Sequence, residues 1–440
     1  MKHLDFYLIT DTHYFEKSLG CSGEAYEKYM KGEQMCLREN QDADRAVFSA
    51  IAADKTVDTV FIAGDLSKNG EYESHISLTK DLKKLKDSGK KIYLITAGHD
   101  FNDNAKAYSG SERIPVKGTT RDDLFELYHE FGLEQALAVE RKTHSYVAKV
   151  GEGFRLLALN VDSERDTRGS ISDELQEWIT EQINDADAAG ETVIAMEHYP
   201  LIPQQPIFDI IGDARLKQWK QKAAFLADSG VHLMLTGHMH AQSIKRFTSD
   251  SGNSIVDIQT SASVGYPAKY RRVTIDDDLV KVRSYDTPDF VMDDGTKVDK
   301  AYFLRQFSQM IPNKLASMLK DGDPNQSAVQ KRLLKIARSM TVGKAGRLLC
   351  LRISEENKKM KVTDFAVKIV LPMFGGDPKF GPESAVYKDI DKALRRVSPV
   401  LSKLNKKLSK DGETVNLREL ILSSLYNSDD LSDNDCEFKI

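Results

Sequence analysis

Short apolar runs separated by amphipathic stretches fill the first 290 residues, the pattern of an α/β protein. Strands are predicted at Leu4–Thr10, Thr59–Ala63, Lys91–Thr96, Phe154–Asn160, Thr192–Met196 and Val231–Thr236. Between them, helices are predicted at Asp42–Asp54, Glu71–Ser88, Arg121–Phe131, Ser172–Ala189 and Asp213–Ser229. Gly89 and Gly230 close two of these, as glycine does where a helix ends in a left-handed residue. From Gln242 to Asp286 short alternating strands follow, separated by Ser-Gly-Asn and Asp-rich turns. The character then changes. Val298–Leu319, Gln326–Met340, Thr363–Met373 and Ser384–Leu408 carry apolar residues at helical spacing, punctuated by Pro312, Gly343, Gly375, Gly376 and Gly381. No repeat is visible, and the Ser/Asp-rich tail from Ser428 reads as disordered.

At 440 residues the chain exceeds what one hydrophobic core usually serves. Charge places the division. Thr296 to Ile440 carries 27 Lys and Arg against 18 Asp and Glu, a net +9, which leaves −14 on residues 1–295. The expected units are 1–290 and a helical 291–440, the latter a cap, an oligomer interface or a partner site. Basic and acidic residues interleave there with few aromatics, so no nucleic-acid stacking surface is visible. No apolar run reaches the ~20 residues of a membrane span. Met1 to Thr10 runs straight into a strand without a secretion-signal pattern. Four scattered cysteines, Cys21, Cys36, Cys350 and Cys436, predict a reducing compartment, the cytoplasm.

Candidate chemistry gathers at the strand ends. Leu4–Thr10 delivers Asp11-Thr12-His13, and Thr59–Ala63 delivers Gly64-Asp65. Lys91–Thr96 leads to Gly98-His99-Asp100, Thr192–Met196 to Glu197-His198, and Val231–Thr236 to Gly237-His238-Met239-His240. Each alone reads more cheaply as a turn aspartate or a surface histidine. Five in succession converge, because loops at strand ends open over one crevice in α/β folds. Mixed imidazole and carboxylate donors without thiolates suit Mn, Fe, Zn or Ni. Six donors exceed one tetrahedral site and fit two divalent ions, with Asp65 as the natural bridge. Two ions ~3.5–4 Å apart clamp a phosphate and acidify a water. A non-ligand histidine beside them, His99, is a candidate general acid.

The series Asp11-Thr12-His13, Gly64-Asp65, Ala97-Gly98-His99-Asp100, His198 and Gly237-His238-Met239-His240 resembles the motifs of calcineurin-like metallophosphoesterases. The resemblance covers roughly residues 1–290. It implies a four-layer αββα sandwich of two mixed sheets, here followed by the C-terminal helical domain. It also implies one metal on Asp11, His13, Asp65 and His240, a second on Asp65, His198 and His238, and His99 as acid or transition-state stabiliser. Gly98 and Asp100 are carried over as substrate contacts. The family's metal-binding Asn falls at Gly98, so a weaker second site is expected, with a water, substrate, Asn102 or Asp103 as replacement donor. Lys68 stands where the protein-phosphatase branch has an acidic residue that orients the catalytic histidine, and Gly64-Asp65-Leu66-Ser67 is similar to the phosphodiesterase-like branches. Read without the resemblance, Lys68 is a solvent-facing lysine, His75 packs on its helix and His144 lies on the surface. Tyr14, Tyr26 and Tyr29 sit on an unusually long connection and are candidates for stacking an aromatic leaving group, or simply for packing.

The expected activity is therefore hydrolysis of a small phosphodiester, a cyclic nucleotide being one candidate, by a metal-activated water. The acidic first unit argues against a polyanionic nucleic acid. The alternatives are a phosphomonoesterase or nucleotidase on the same site, and a non-catalytic ligand-binding member.

Overall fold

Strand β1 (His3–Ile9) shows how the layers are built. Successive side chains in a strand face opposite ways. Leu4, Phe6 and Leu8 therefore enter a core shared with both sheets, while Tyr7 and Ile9 enter a second core beneath helices. The computed structural model describes residues 2–162, 168–323, 325–409 and 414–440.

The further strands are β2 (Thr59–Ala63), β3 (Lys91–Ile95), β4 (Lys106–Ser109), β5 (Glu112–Pro115), β6 (Ala136–Val139), β7 (Tyr146–Gly151), β8 (Phe154–Ala158) and β9 (Thr192–Met196). They continue as β10 (Leu233–Thr236), β11 (Ser243–Thr248), β12 (Ser254–Gln259), β13 (Lys269–Asp276), β14 (Leu279–Asp286), β15 (Phe290–Val291), β16 (Lys297–Val298) and β17 (Cys436–Lys439). One sheet has the order β17-β14-β13-β1-β2-β3, the other β11-β12-β10-β9-β8-β7-β6. Both are mixed. β1, β2 and β3 run parallel while β13 joins β1 antiparallel, and β8, β9, β10 and β12 run parallel between antiparallel edges.

Helices α1 (Glu24–Met30), α2 (Leu37–Ala53), α3 (Tyr72–Asp87), α4 (Arg121–Leu127), α5 (Asp173–Ala188) and α6 (Trp219–Asp228) accompany the sheets. Val47, Leu78 and Leu124 cover the outer face of the first sheet, and Ile179 and Leu226 that of the second. The expected four-layer sandwich is what forms. The long connection after β1 contains α1, so it is not a bare loop.

The C-terminal helices are α7 (Lys300–Met318), α8 (Ala328–Ser339), α9 (Val342–Leu348), α10 (Val362–Gly375), α11 (Ala385–Arg396), α12 (Ser398–Leu408) and α13 (Leu417–Ser423). The single helix expected at 384–408 breaks near Val397, because Pro399 fits only the first turn of a new helix. Pro312 lies inside α7, within the span expected to be helical. The expectation of a disordered tail is overturned. β17 pairs antiparallel with β14, from Leu279 opposite Lys439 to Val282 opposite Cys436. Leu431 and Phe438 enter the central core. Local composition suggested disorder because the stabilising partners lie about 150 residues away in sequence.

Candidate metal centre

The five strand-end loops open over one edge of the sandwich, and their backbone is unusual where it matters. Asp11, His13, Asp65, His238 and His240 have φ of 50°, 40°, 51°, 72° and 49°. Side chains other than glycine rarely take these values, and each costs on the order of 1–3 kcal/mol. Such strain clusters where function demands a particular side-chain direction. Gly237 provides clearance beside them. A Cβ there would lie 2.0 Å from Thr10 Oγ1 and 2.5 Å from Asp11 Oδ2. Gly237→Ala is therefore expected to displace Asp11 and cost about 1–3 kcal/mol of stability, read in a thermal melt together with weakened metal uptake.

Asp11, His13 and His240 each offer a donor atom, all within 4.8 Å of one another, and Asp65, His198 and His238 do the same. Asp65 joins the groups, its Oδ2 lying 2.9 Å from His198 Nε2 and 3.8 Å from His13 Nε2. Asp11 Oδ1 lies 3.3 Å from His240 Nε2, 3.6 Å from His13 Nε2 and 3.8 Å from His198 Nε2.

The hydrogen bonds divide each donor into an anchored atom and a free one. Asp11 Oδ2 accepts from Thr10 Oγ1 at 2.7 Å and the His238 N–H at 2.9 Å, while Oδ1 is buried and, among the described residues, has no hydrogen-bond partner. His198 Nδ1 bonds the Ala63 carbonyl at 2.8 Å, which leaves Nε2 directed at Asp65. His238 Nε2 bonds the Asp213 carbonyl at 2.5 Å, which turns Nδ1 inward. Asp65 Oδ1 accepts the His99 N–H at 3.0 Å. Backbone bonds of this kind fix the ring and tautomer of a metal-binding histidine.

Electrostatics agrees with the geometry. Burial pushes the His198 pKa down, yet Asp65 and Asp11 overcome it and hold the group well above its ordinary value. Asp11 and Asp65 are held below the usual carboxylate range: burial, the largest single influence, works against this, and the surrounding histidines, His198 foremost, together outweigh it. This buried cluster stabilises positive charge at its centre, and the donor set fits two divalent cations.

His99 stands beside the groups, its ring centroid 5.0 Å from that of His13. Its Nδ1 bonds the Lys68 carbonyl at 2.9 Å. The backbone of residue 68 thus provides the orientation for which other branches use an acidic side chain. The Lys68 side chain is not solvent-facing, as its isolated reading suggested. It is buried 3.5 Å from Glu71 and packs over the Tyr29 ring. Asp100, expected at the substrate, is fully buried, and its oxygens accept the Ser67 and Ala97 N–H groups at 2.8 Å each. In this position it holds the loop that carries His99.

His75 supports the same loop from a fully buried position, bonding Tyr128 Oη at 2.7 Å and the Asp100 carbonyl at 2.8 Å. Tyr14 and Tyr26 are packed inside, Tyr14 donating to Asp81 at 2.5 Å, and Tyr29 is half-buried. His144 is half-buried against Phe125 rather than free on the surface. Sequence reasoning missed Asp162 and Arg168, which crowd Gly98. Asp162 follows β8, beside the strand that delivers His198, so the strand-end rule reaches it once a carboxylate without a neighbouring histidine is admitted.

The model of the calcineurin-like phosphoesterase family matches residues 4–242, more than half of the chain. The chain belongs to that family and is a metallophosphoesterase, a phosphoric ester hydrolase. Among solved structures it is similar to a dimetal phosphatase from Danio rerio at 14% identity, over 66% of this chain and 98% of that one, with a TM-score of 0.48. It is also similar to a purple acid phosphatase from yellow lupin (14% identity, 68% and 53% covered, TM-score 0.42). A putative 5'-nucleotidase from Staphylococcus aureus is similar at 13% identity (86% and 73% covered, TM-score 0.39). No curated protein sequence matches the chain.

Proposed function

We propose that the protein is a two-metal phosphodiesterase acting on a small phosphodiester. The observation that carries this is the pair of donor groups meeting at Asp65, with His99 open beside them. Asp11, His13, Asp65 and His240 would hold one ion, and Asp65, His198 and His238 the other. On those three ligands alone the second site is the weaker. Mn, Fe, Zn or Ni suits the donors. Two such ions, when bound, would polarise the phosphate and acidify a water.

The chain's own residues orient that chemistry. Asp65 shares its carboxylate between the groups and fixes the backbone at His99. With Nδ1 of His99 tied to the Lys68 carbonyl, Nε2 is the atom left to exchange a proton with the leaving oxygen. Asp100 and His75 keep that loop in place. Lys68 and the −14 charge of the first 295 residues favour a small diester over a phosphoprotein or nucleic acid.

A capping role for the helical unit, α7 to α13, belongs to the same reading, while the last strand returns to the sandwich. Phe374 and Met373, at the end of α10, accept hydrogen bonds from the Gln242 backbone at 2.9 Å and from Gln204. These partners follow closely after His240 and His198. A cytoplasmic setting accords with the four unpaired cysteines. Among the described residues no helix is long and apolar enough to cross a membrane.

The test compares bis(p-nitrophenyl) phosphate with p-nitrophenyl phosphate under Mn, Fe, Ni, Zn and Mg in turn. The diester is expected to be preferred. A strong preference for the monoester would transfer the site to a phosphatase or nucleotidase, and no turnover with any metal would favour a ligand-binding role. His99→Ala is expected to slow esters of poor leaving groups by roughly 10²–10⁴-fold and activated esters far less. Equal slowing of both would remove the general-acid role.

A further inference from the structure

Gly98 offers the second ligand group no side-chain donor, but the space beside it is filled. A Cβ built on Gly98 would lie 3.2 Å from Asp162 Oδ2, 3.3 Å from Arg168 Cζ and 3.5 Å from Arg168 Nε. Arg168 Nη2 donates to the Gly98 carbonyl at 3.1 Å. Asp162 is 2% exposed, and its Oδ1 accepts the Gly169 N–H at 3.3 Å. Its Oδ2, the oxygen facing Gly98, is buried without a hydrogen-bond partner among the described residues. A buried carboxylate oxygen left so is costly unless a cation or donor meets it.

Asp162 follows β8, which adjoins the strand that ends at His198. Burial first, and then the negative charge of Asp65, hold its carboxyl above the usual range, while His198, Arg168 and the Tyr199 hydroxyl oppose them. The same carboxylate is among the groups that raise His198. Asp162 thus shares the electrostatic field of the second ligand group while standing outside its compact trio, against Gly98.

We propose that Asp162 takes over the donor role of the missing amide, its Oδ2 completing the coordination of the ion held by Asp65, His198 and His238, with Arg168 holding the Gly98 backbone against it. The inference rests on the two-metal reading and deepens it. Relocating the donor from the His99 loop to the loop after β8 also accounts for a glycine at 98. Any side chain there would meet the carboxylate and guanidinium that have taken its place.

The experiment titrates the metal-free protein with Mn(II) by calorimetry and follows the paramagnetic signal of bound Mn(II), which distinguishes a coupled pair from isolated ions. The full-length protein is expected to bind two ions. Asp162→Ala, shown folded by its melting curve, is expected to keep the first and weaken the second by at least the roughly 10–100-fold that losing an outer-shell partner costs, with loss of the coupled signal. The near-isosteric Asp162→Asn should show the same ordering more mildly if alanine disturbs folding. Gly98→Asn alone should not tighten the second site.

Two equally retained ions in Asp162→Ala, with His238→Ala losing one, would overturn the assignment of Asp162 and leave the two-metal reading intact. A single ion in the unmodified protein, unaffected by His238→Ala, would overturn both.

Discussion

Asp65→Asn is expected to abolish turnover and weaken both metal sites together. Asp65 lies between the donor groups, with Oδ2 2.9 Å from His198 Nε2 and 3.8 Å from His13 Nε2. The substitution keeps shape and volume but removes the negative charge. Outer-shell partners of metal ligands contribute roughly 10–100-fold to affinity, so a shared direct ligand should contribute more at each ion. The His99 N–H would keep an oxygen acceptor, so the loop is expected to stay in place and the melting curve to change little. Metal titration and a diester assay on the same preparation check this. A variant that still bound two ions at the original affinity would remove Asp65 from the bridge.

Truncation before Leu431 is expected to unfold the sandwich, although it removes only the last ten residues. Leu431 and Phe438 belong to the core between the sheets, and burying each contributes about 1.5–3 kcal/mol. Arg271, fully buried, donates to the carbonyls of Gln259, Asp433 and Asn434. Without the last two its guanidinium loses most of its partners, and breaking up a buried charge in this way costs about 3–5 kcal/mol. Losses of this size approach the whole ~5–15 kcal/mol that holds a typical domain together. Aggregation on expression, or a melting temperature lowered by many degrees, is the expected result. A truncated chain that melted with the full-length protein would show the returning strand to be dispensable. Removing everything beyond residue 295 carries the same loss, so it would not isolate the helical unit cleanly.

The strand ends were legible because each pairs an apolar run with a polar turn, and both signals are local. β2 and β9 have the bounds expected, and β1 is displaced by one residue at each end. β6 and β7 went unseen. Strand β7, paired with β8 on one side and β6 on the other, buries Tyr146, Val147 and Ala148 in succession, without the strict alternation that marks a half-buried strand. The roles of Lys68, His75 and Asp100 were hidden for a related reason. Lysine burial depends on Glu71 and Tyr29, and the work of His75 depends on a hydroxyl 53 residues away.

What the sequence determined by itself was the α/β pattern, the donor types and their places after successive strands, and through them the family and its chemistry. Periodicity and residue type are properties of short segments, and they need no knowledge of what each segment meets. The tertiary structure decided which donors stand together, how each is turned by a backbone partner, and that the chain's end closes a sheet begun at its start. It also decided that the gap at Gly98 is faced by Asp162. Those facts depend on contacts between residues far apart in the chain, where distance and burial set the energy and no local pattern records them.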